Sequence, residues 1–237
     1  MRRLLVHVEG QTEETFVNEV LAPHLWKRGY SRVDARLMGR ARGRDRRGGI
    51  RSWPAARRDI VHHLREDPRC VATTMVDYYG MPQEGHAAWP GRAVARTREP
   101  SQRSETVEAA VAADVGREMG TSFDRRRFIP YVVMHEFEAL LFRDCDGFAR
   151  GVGHPELTWS LQAIRDRYGS PEEIDDSPHS APSKRVEQIL PAYQKPFHGN
   201  LAALEIGLCA MRHACAGFRR WLERLESADD SGAKRSS

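Results

Sequence analysis

The sequence predicts an α/β protein with a mostly parallel sheet flanked by helices, followed by a helical C-terminal part. Two observations support this fold class. Short apolar runs rich in β-branched residues alternate with longer segments whose apolar residues recur at helical spacing, which is the βαβ rhythm of a parallel sheet. After about residue 150 no further strand is predicted, and helical spacing continues towards the C-terminus.

The N-terminal part supplies the predicted strands and the helices between them. Strands are predicted at residues 4–8, 33–38, 71–76 and 128–134. Helices are predicted at residues 12–27, 54–64 and 104–120. Thr12 can serve as the first N-cap, and Pro130 lies near the start of its strand, where a missing N–H is tolerable. Residues 81–102, rich in Pro, Gly and Arg, are expected to form a long loop over the sheet edge, a lid or an insertion.

The C-terminal part is predicted to be helical. Ser170-Pro171-Glu172-Glu173 has the pattern of a helix start, and another helix is expected from Ala181. Apolar residues recur later at alternating spacings of three and four, which predicts a helix that faces the core rather than an intermolecular coiled coil. The helix is expected to break near Gly207 or Ala216-Gly217. The members of this apolar stripe are Leu201, Leu204, Leu208, Met211, Cys215, Phe218, Leu222 and Leu225.

These elements predict three parts: an α/β core over residues 1–150, a helical subdomain packed on it over 151–226, and a disordered polar tail over 227–237. No run approaches the roughly 18 apolar residues of a membrane span, and no secretory signal precedes the first strand. We therefore expect a cytoplasmic protein with no membrane partner. Four cysteines without a C-x-x-C pair indicate neither a disulfide framework nor a zinc cluster.

Positive charge is concentrated in one Gly-containing segment after the second strand. Seven arginines, including Arg40 and Arg42, lie within residues 36–51, offset only by Asp45. Such a segment is either a solvated tip or an arm that contacts phosphate groups. We favour the arm, with Arg40 and Arg42 as substrate-binding residues.

Acidic residues follow three of the predicted strands. Glu9 follows the first, Asp77 the third, and Glu136 and Glu138 the fourth. If these strands are parallel neighbours, their carboxyl ends meet at one sheet edge, where α/β proteins bind ligands. A divalent cation would relieve the repulsion between such carboxylates. Mg²⁺, for which Mn²⁺ can substitute, suits one or two carboxylates with waters and phosphates.

Each of these acids also has a structural interpretation. Glu138 can stabilise the first turn of the following helix, and any of the acids can pair with an arginine. His135 is either a general acid/base or a structural hydrogen-bonding residue. Lys184 and Arg185 are unfavourable in the first turn of a helix unless an anion or carboxylate lies there, and chance surface placement is the alternative.

Several motifs together resemble a bacterial family of TOPRIM-like proteins, formerly of unknown function. They are V-E-G-Q-T-E-E at residues 8–14, D-Y-Y-G at 77–80, H-E-F-E-A-L-L-F at 135–142, A-P-S-K-R at 181–185, and I-G-L at 206–208 with W-L-x-x-L-E at 221–226. The family is similar to AriB, the nuclease-like effector of the PARIS anti-phage defence system. The likeness runs in order through nearly the whole chain.

The resemblance implies a TOPRIM-like core with a magnesium-dependent acidic site, cleavage of RNA such as tRNA, and an ABC-type ATPase partner that controls the effector. Glu9 matches the first acid of the TOPRIM pattern, and Asp77 matches the first aspartate of its D-x-D. Tyr79 replaces the second aspartate, so Glu136 or Glu138 would have to substitute as a ligand.

The leading hypothesis is therefore a magnesium-dependent nuclease that acts on nucleic acid, RNA rather than DNA, in phage defence. Glu9, Asp77 and Glu136 would bind the metal, with Glu9 or His135 in acid/base roles, and Lys184, Arg185 and Lys195 would neutralise phosphate. One rival is a catalytically degenerate module that binds an ATPase or nucleic acid without cleaving it. Another is a toxin that is silent without its partner. A homodimer is compatible with each.

Overall fold

The computed structural model describes residues 2–38, 50–134, 136–174 and 181–228. The strands are β1 (Arg2–Val8), β2 (Tyr30–Leu37), β3 (Cys70–Asp77), β4 (Phe128–Ile129) and β5 (Val132–Val133). The helices of the N-terminal part are α1 (Gln11–Phe16), α2 (Ala22–Trp26), α3 (Trp53–Glu66), α4 (Arg92–Ala95) and α5 (Pro100–Met119). Those that follow are α6 (Glu138–Leu141), α7 (Cys145–Gly151), α8 (Thr158–Arg165), α9 (Pro182–Ile189), α10 (Lys195–Ala214) and α11 (Ala216–Ser227).

The predicted fold class is confirmed. The sheet order is β2-β1-β3-β4, with β5 also on β3, and the strand pairs are parallel. Val8 of β1 lies opposite both Leu37 of β2 and Met75 of β3. The carboxyl ends of β1 and β3 are therefore adjacent, and the residues that follow them emerge side by side.

Helices cover both faces of the sheet because its central strands are apolar on both sides. Val6 and Met75 face a core that includes α1, α2, α10 and α11, while Ala72 and Val76 face a second core with α3 and α5. The boundary predicted between residues 150 and 151 falls within α7, and residues on both sides of it contribute to the first core. The C-terminal helices thus pack directly on the sheet.

Aromatic contacts fix the last helix on the sheet. The ring of Trp221 in α11 stacks on Tyr131 with 4.6 Å between ring centroids. Its indole N–H donates to Thr73 Oγ1 of β3 at 2.8 Å. Trp221 therefore satisfies a buried donor while it joins the end of the described chain to the central strand.

Several local predictions are wrong for identifiable reasons. The N-cap of α1 is Gly10 rather than Thr12, and the backbone N–H of Gly10 donates to Glu13 Oε2 at 3.0 Å. Pro130 divides the predicted fourth strand into β4 and β5, because proline has no N–H to donate. The capping signal at Ser170 produces only a 3₁₀ turn, Pro171–Glu173.

The long segment before α5 is more ordered than predicted. It contains α4, and α5 starts at Pro100, earlier than expected. Met81 and Trp89 are buried in the second core, and the Trp89 ring lies 4.9 Å from that of Trp53. These two apolar residues hold the segment against the sheet edge, where it was predicted, but the prediction of a loop is wrong for α4 and for the start of α5.

The predicted break of the apolar stripe at Gly207 is confirmed, whereas the second break lies one residue before Ala216-Gly217, which begin α11. The stripe faces the core only in part, because Leu201 and Leu204 are exposed. Gly207 interrupts α10 with φ +74°, a left-handed conformation that glycine adopts without strain. Cys215 then separates α10 from α11. No single described helix is long and apolar enough to cross a membrane, although α10 and α11 taken together, bent by 97°, pass the same test of length and composition. The described chain ends at Ala228, so most of the predicted tail lies outside it.

Candidate functional site

A cleft of about 770 Å³ lies at the carboxyl edge of the sheet. Its acidic residues are Glu9, Asp77 and Glu136, and its basic residues are Arg92, Arg96, Arg103 and Lys195. The parallel topology brings these acids together from three distant parts of the sequence, as the strand pattern predicted. Charges of both signs share one concave surface.

Glu9 lies between the end of β1 and the start of α1. Its carboxylate faces Gly80, where an added Cβ would stand 3.2 Å from both carboxylate oxygens. Glu9 Oε2 is buried and has no hydrogen-bond partner among the described residues. Burial and the nearby Glu13 raise the pKa of Glu9 to about 7, although Lys195 and the backbone N–H of Asp77 act in the opposite direction.

Asp77 is the last residue of β3 and is only 8% exposed. Its Oδ2 lies 3.6 Å from Lys195 Nζ, and its Oδ1 is buried without a hydrogen-bond partner in the described part of the chain. Burial raises the pKa of Asp77 well above its ordinary value despite Lys195, and Glu13 and Glu9 contribute to the rise. Two neighbouring carboxylates therefore each keep an unsatisfied buried oxygen.

Lys195 links the cleft to a more deeply buried acid. Its ammonium group lies 2.9 Å from Glu138 Oε2, and the Tyr193 hydroxyl donates to Glu138 Oε1 at 3.2 Å. Glu138 is fully buried. Burial alone would lower the pKa of Lys195, but Glu138 and Asp77 raise it well above the ordinary range. Lys195 is therefore a permanent positive charge within the acidic group.

Glu136 accepts a hydrogen bond from the first turn of α9. The backbone N–H of Ser183 donates to Glu136 Oε2 at 3.1 Å. A carboxylate thus lies at the helix N-terminus that contains Lys184 and Arg185, as their unfavourable position predicted. One oxygen of Glu136 is consequently occupied by the fold itself.

Two of the predicted phosphate-binding residues, Lys184 and Arg185, do not line the cleft. Lys184 is exposed and pairs with Glu187 at 2.7 Å, and Arg185 donates to the Tyr168 hydroxyl at 2.6 Å. Arg40, Arg42 and His135 lie outside the described residues, so their roles stay predictions.

Glu9 and Asp77 are the carboxylates of the cleft that could bind the predicted Mg²⁺ ion. The described part of the chain contains no group of three or more His, Cys, Asp or Glu side chains arranged to hold a metal ion. Mg²⁺, however, needs only one or two carboxylates and completes its shell with waters. The unsatisfied oxygens of Glu9 and Asp77 fit this smaller ligand set, whereas the ligand set that includes Glu136 stays a prediction.

Sequence reasoning missed four charged residues of this region. Glu13 was not among the predicted site residues, yet it is 3% exposed and raises the pKa of Glu9 and of Asp77. Arg92, Arg96 and Arg103 lie in or beside the segment that was predicted to be a loop. The recurrence of arginine in that segment was the available signal, but only the buried anchors Met81 and Trp89 bring it to the cleft.

The raised pKa of Glu9 predicts a pH effect on stability. A carboxyl group with a pKa of about 7 when folded and 4.5 when unfolded holds its proton more tightly in the folded state. The free energy of unfolding therefore falls as the pH rises through that interval. Glu9→Gln cannot ionise, so its melting temperature in EDTA should rise relative to the wild type between about pH 4.5 and pH 8. Calorimetry over this range tests the effect, with exposed Glu19→Gln as control, and parallel curves for Glu9→Gln and wild type would contradict it.

Comparison with known proteins adds one match. A family model described as Domain of unknown function (DUF4276) matches residues 8–226. No curated protein matches the chain, and no solved structure does. The match begins at Val8, the last residue of β1, and continues through the cleft residues and the C-terminal helices to Glu226 in α11.

Proposed function

This chain belongs to the DUF4276 family, and we propose that it is a magnesium-dependent phosphodiesterase that hydrolyses nucleic acid, RNA rather than DNA. The observation that carries the proposal is the pair of buried, unsatisfied carboxylate oxygens of Glu9 and Asp77 at adjacent strand ends. Burying two carboxylate oxygens without a partner costs folding free energy unless a ligand satisfies them. A cation and a phosphate together would satisfy a cleft that contains both acids and arginines.

The roles of the residues follow from their surroundings. The pKa of Glu9 is about 7 without a cation, and a bound cation would lower it, so the carboxylate would be ionised at neutral pH and could accept a proton from water. Asp77 and Glu9 would hold the cation, which would supply a Lewis acid for a phosphoryl oxygen. Lys195 forms ion pairs with Asp77 and Glu138 and would add positive charge for a phosphate bound in the cleft.

The biological setting of the proposal rests on sequence resemblance. The motifs shared with TOPRIM-like, AriB-like proteins support RNA as substrate, a role as a toxin-like effector in phage defence, and control by an ABC-type ATPase. A cytoplasmic location belongs to the same proposal.

One observation favours a non-catalytic alternative. Lys195 already places a cation between Asp77 and Glu138, and Tyr79 stands where the TOPRIM pattern has a second aspartate. A site neutralised in this way could bind nucleic acid or an ATPase without cleaving either.

A cleavage assay separates the two functions. The purified protein, with and without a co-expressed neighbouring ATPase, is incubated with total RNA and with plasmid DNA in Mg²⁺ or EDTA. We expect RNA fragments only in Mg²⁺. Binding without cleavage in every condition, including the one with the ATPase, would favour the binding module.

A further inference from the structure

Arg92 is a buried arginine at the start of α4. It is only 3% exposed, its Nε donates to the carbonyl oxygen of Tyr78 at 3.1 Å, and its guanidinium lies 3.7 Å from the centroid of the Tyr78 ring. Its Nη1 is buried and has no hydrogen-bond partner among the described residues. Arg92 is thus fixed beside the residue that follows Asp77, with one strong donor left unsatisfied.

Two further arginines accompany Arg92 in the cleft without a matching acid. Arg96 donates to Gln83 Oε1 at 3.3 Å, and Arg103 donates to the carbonyl oxygen of Arg98 at 3.2 Å. None of the three forms an ion pair with a described residue. Burial lowers the pKa of Arg92, and Arg96 and Arg103 lower it further. The fold has therefore gathered three like charges with neutral partners.

An anionic ligand would pair with the unsatisfied donor of Arg92 and neutralise the charge of the three arginines. The planar guanidinium group matches the geometry of phosphate oxygens, and a buried donor without a partner is unfavourable until it is paired. We propose that Arg92, Arg96 and Arg103 form a phosphate-binding subsite for a phosphodiester group of single-stranded RNA. The subsite deepens the proposed function and rests on it, since it would position the strand beside Glu9 and Asp77.

Binding to a labelled oligouridylate in EDTA tests the subsite without cleavage. Fluorescence anisotropy of a ten-nucleotide probe is measured at several KCl concentrations for the wild type and for Arg96→Ala/Arg103→Ala. We expect the double variant to bind at least tenfold more weakly at low salt. The slope of log K against log salt should fall in magnitude by about 1.4, since each phosphate contact on a single strand contributes about 0.7.

A matched control has the same change of charge. Arg98 lies in the same segment and Arg219 in α11, and neither lines the cleft. Arg98→Ala/Arg219→Ala should keep wild-type affinity and slope. Equal losses in the two double variants, unchanged binding by Arg96→Ala/Arg103→Ala, or no binding by the wild type would overturn the subsite.

Arg92→Met distinguishes a binding role from a structural one. Methionine keeps the apolar stem and removes the unsatisfied guanidinium. We expect weaker binding by folded protein at a temperature well below its melting point. Wild-type affinity of the folded Arg92→Met variant would contradict a binding role for Arg92.

The outcomes for the subsite and for catalysis are separate. If the wild type binds through these arginines but cleaves no RNA in Mg²⁺ with or without the ATPase, the proposed function fails and the subsite stands. If the wild type cleaves RNA but Arg96→Ala/Arg103→Ala binds normally, the subsite fails and the proposed function stands.

Discussion

Glu9→Gln is expected to lower the rate of magnesium-dependent RNA cleavage by about 10²–10⁴-fold, the contribution typical of a positioned acid–base group. Glutamine keeps the size of the side chain but carries no charge and cannot accept the proton. Its effect on the fold should be small or favourable, because burial raises the pKa of Glu9 to about 7 and disfavours its charge. The initial rate of RNA cleavage, compared with Glu19→Gln, measures the effect.

Folded protein must be compared with folded protein. Melting curves recorded in the assay buffer show whether each variant is intact, and Glu19 is exposed on the helical segment that follows α1. Cleavage by intact Glu9→Gln within about twofold of the wild-type rate would exclude Glu9 from the chemistry.

Lys195→Met should have the largest effect on stability. It removes the counter-charge of Glu138, which is 0% exposed, and of Asp77, which is nearly buried. Breaking a buried pair from one side costs roughly 3–5 kcal/mol, and the 31% exposure of Lys195 places the expected loss near the lower bound. The melting temperature should fall by about 6–12 °C for a chain of this size.

A second variant identifies the cause of that loss. Lys195→Met/Glu138→Gln leaves no unpaired charge at Glu138 and should recover much of the stability. Lys184→Met breaks the exposed pair with Glu187 and should cost at most about 1 kcal/mol. A loss for Lys195→Met as small as that for Lys184→Met, or no recovery in the double variant, would show that this ion pair does not support the fold.

The sheet and its acidic edge were predictable because they depend on local signals. Apolar β-branched runs identified β1 and β3, and their parallel pairing follows from the helices between them. The position of Glu9 after one strand and of Asp77 at the end of the other then placed both at one edge. A carboxylate at the N-terminus of α9 was one of the two interpretations offered for the first-turn cations Lys184 and Arg185, the other being chance surface placement.

Other features depend on tertiary contacts that sequence patterns do not encode. The burial of Arg92 results from the packing of Met81 and Trp89 in the second core. Lys195 was predicted to neutralise phosphate, but its ion pair with Glu138 was not predicted. This pair forms because Lys195 and Glu138, the first residues of α10 and α6, lie side by side in the fold. The capping signal at Ser170 is not followed by apolar residues at helical spacing, so only a 3₁₀ turn forms there.

The central claim is that Glu9 and Asp77 together bind a divalent cation. Crystals soaked in Mn²⁺ and measured at a wavelength where manganese scatters anomalously test it most directly. We expect an anomalous peak in contact with one carboxylate oxygen of each residue, absent from Glu9→Gln crystals soaked in parallel. A cleft without a peak, in which Lys195 remains the cation nearest to Asp77, would contradict it.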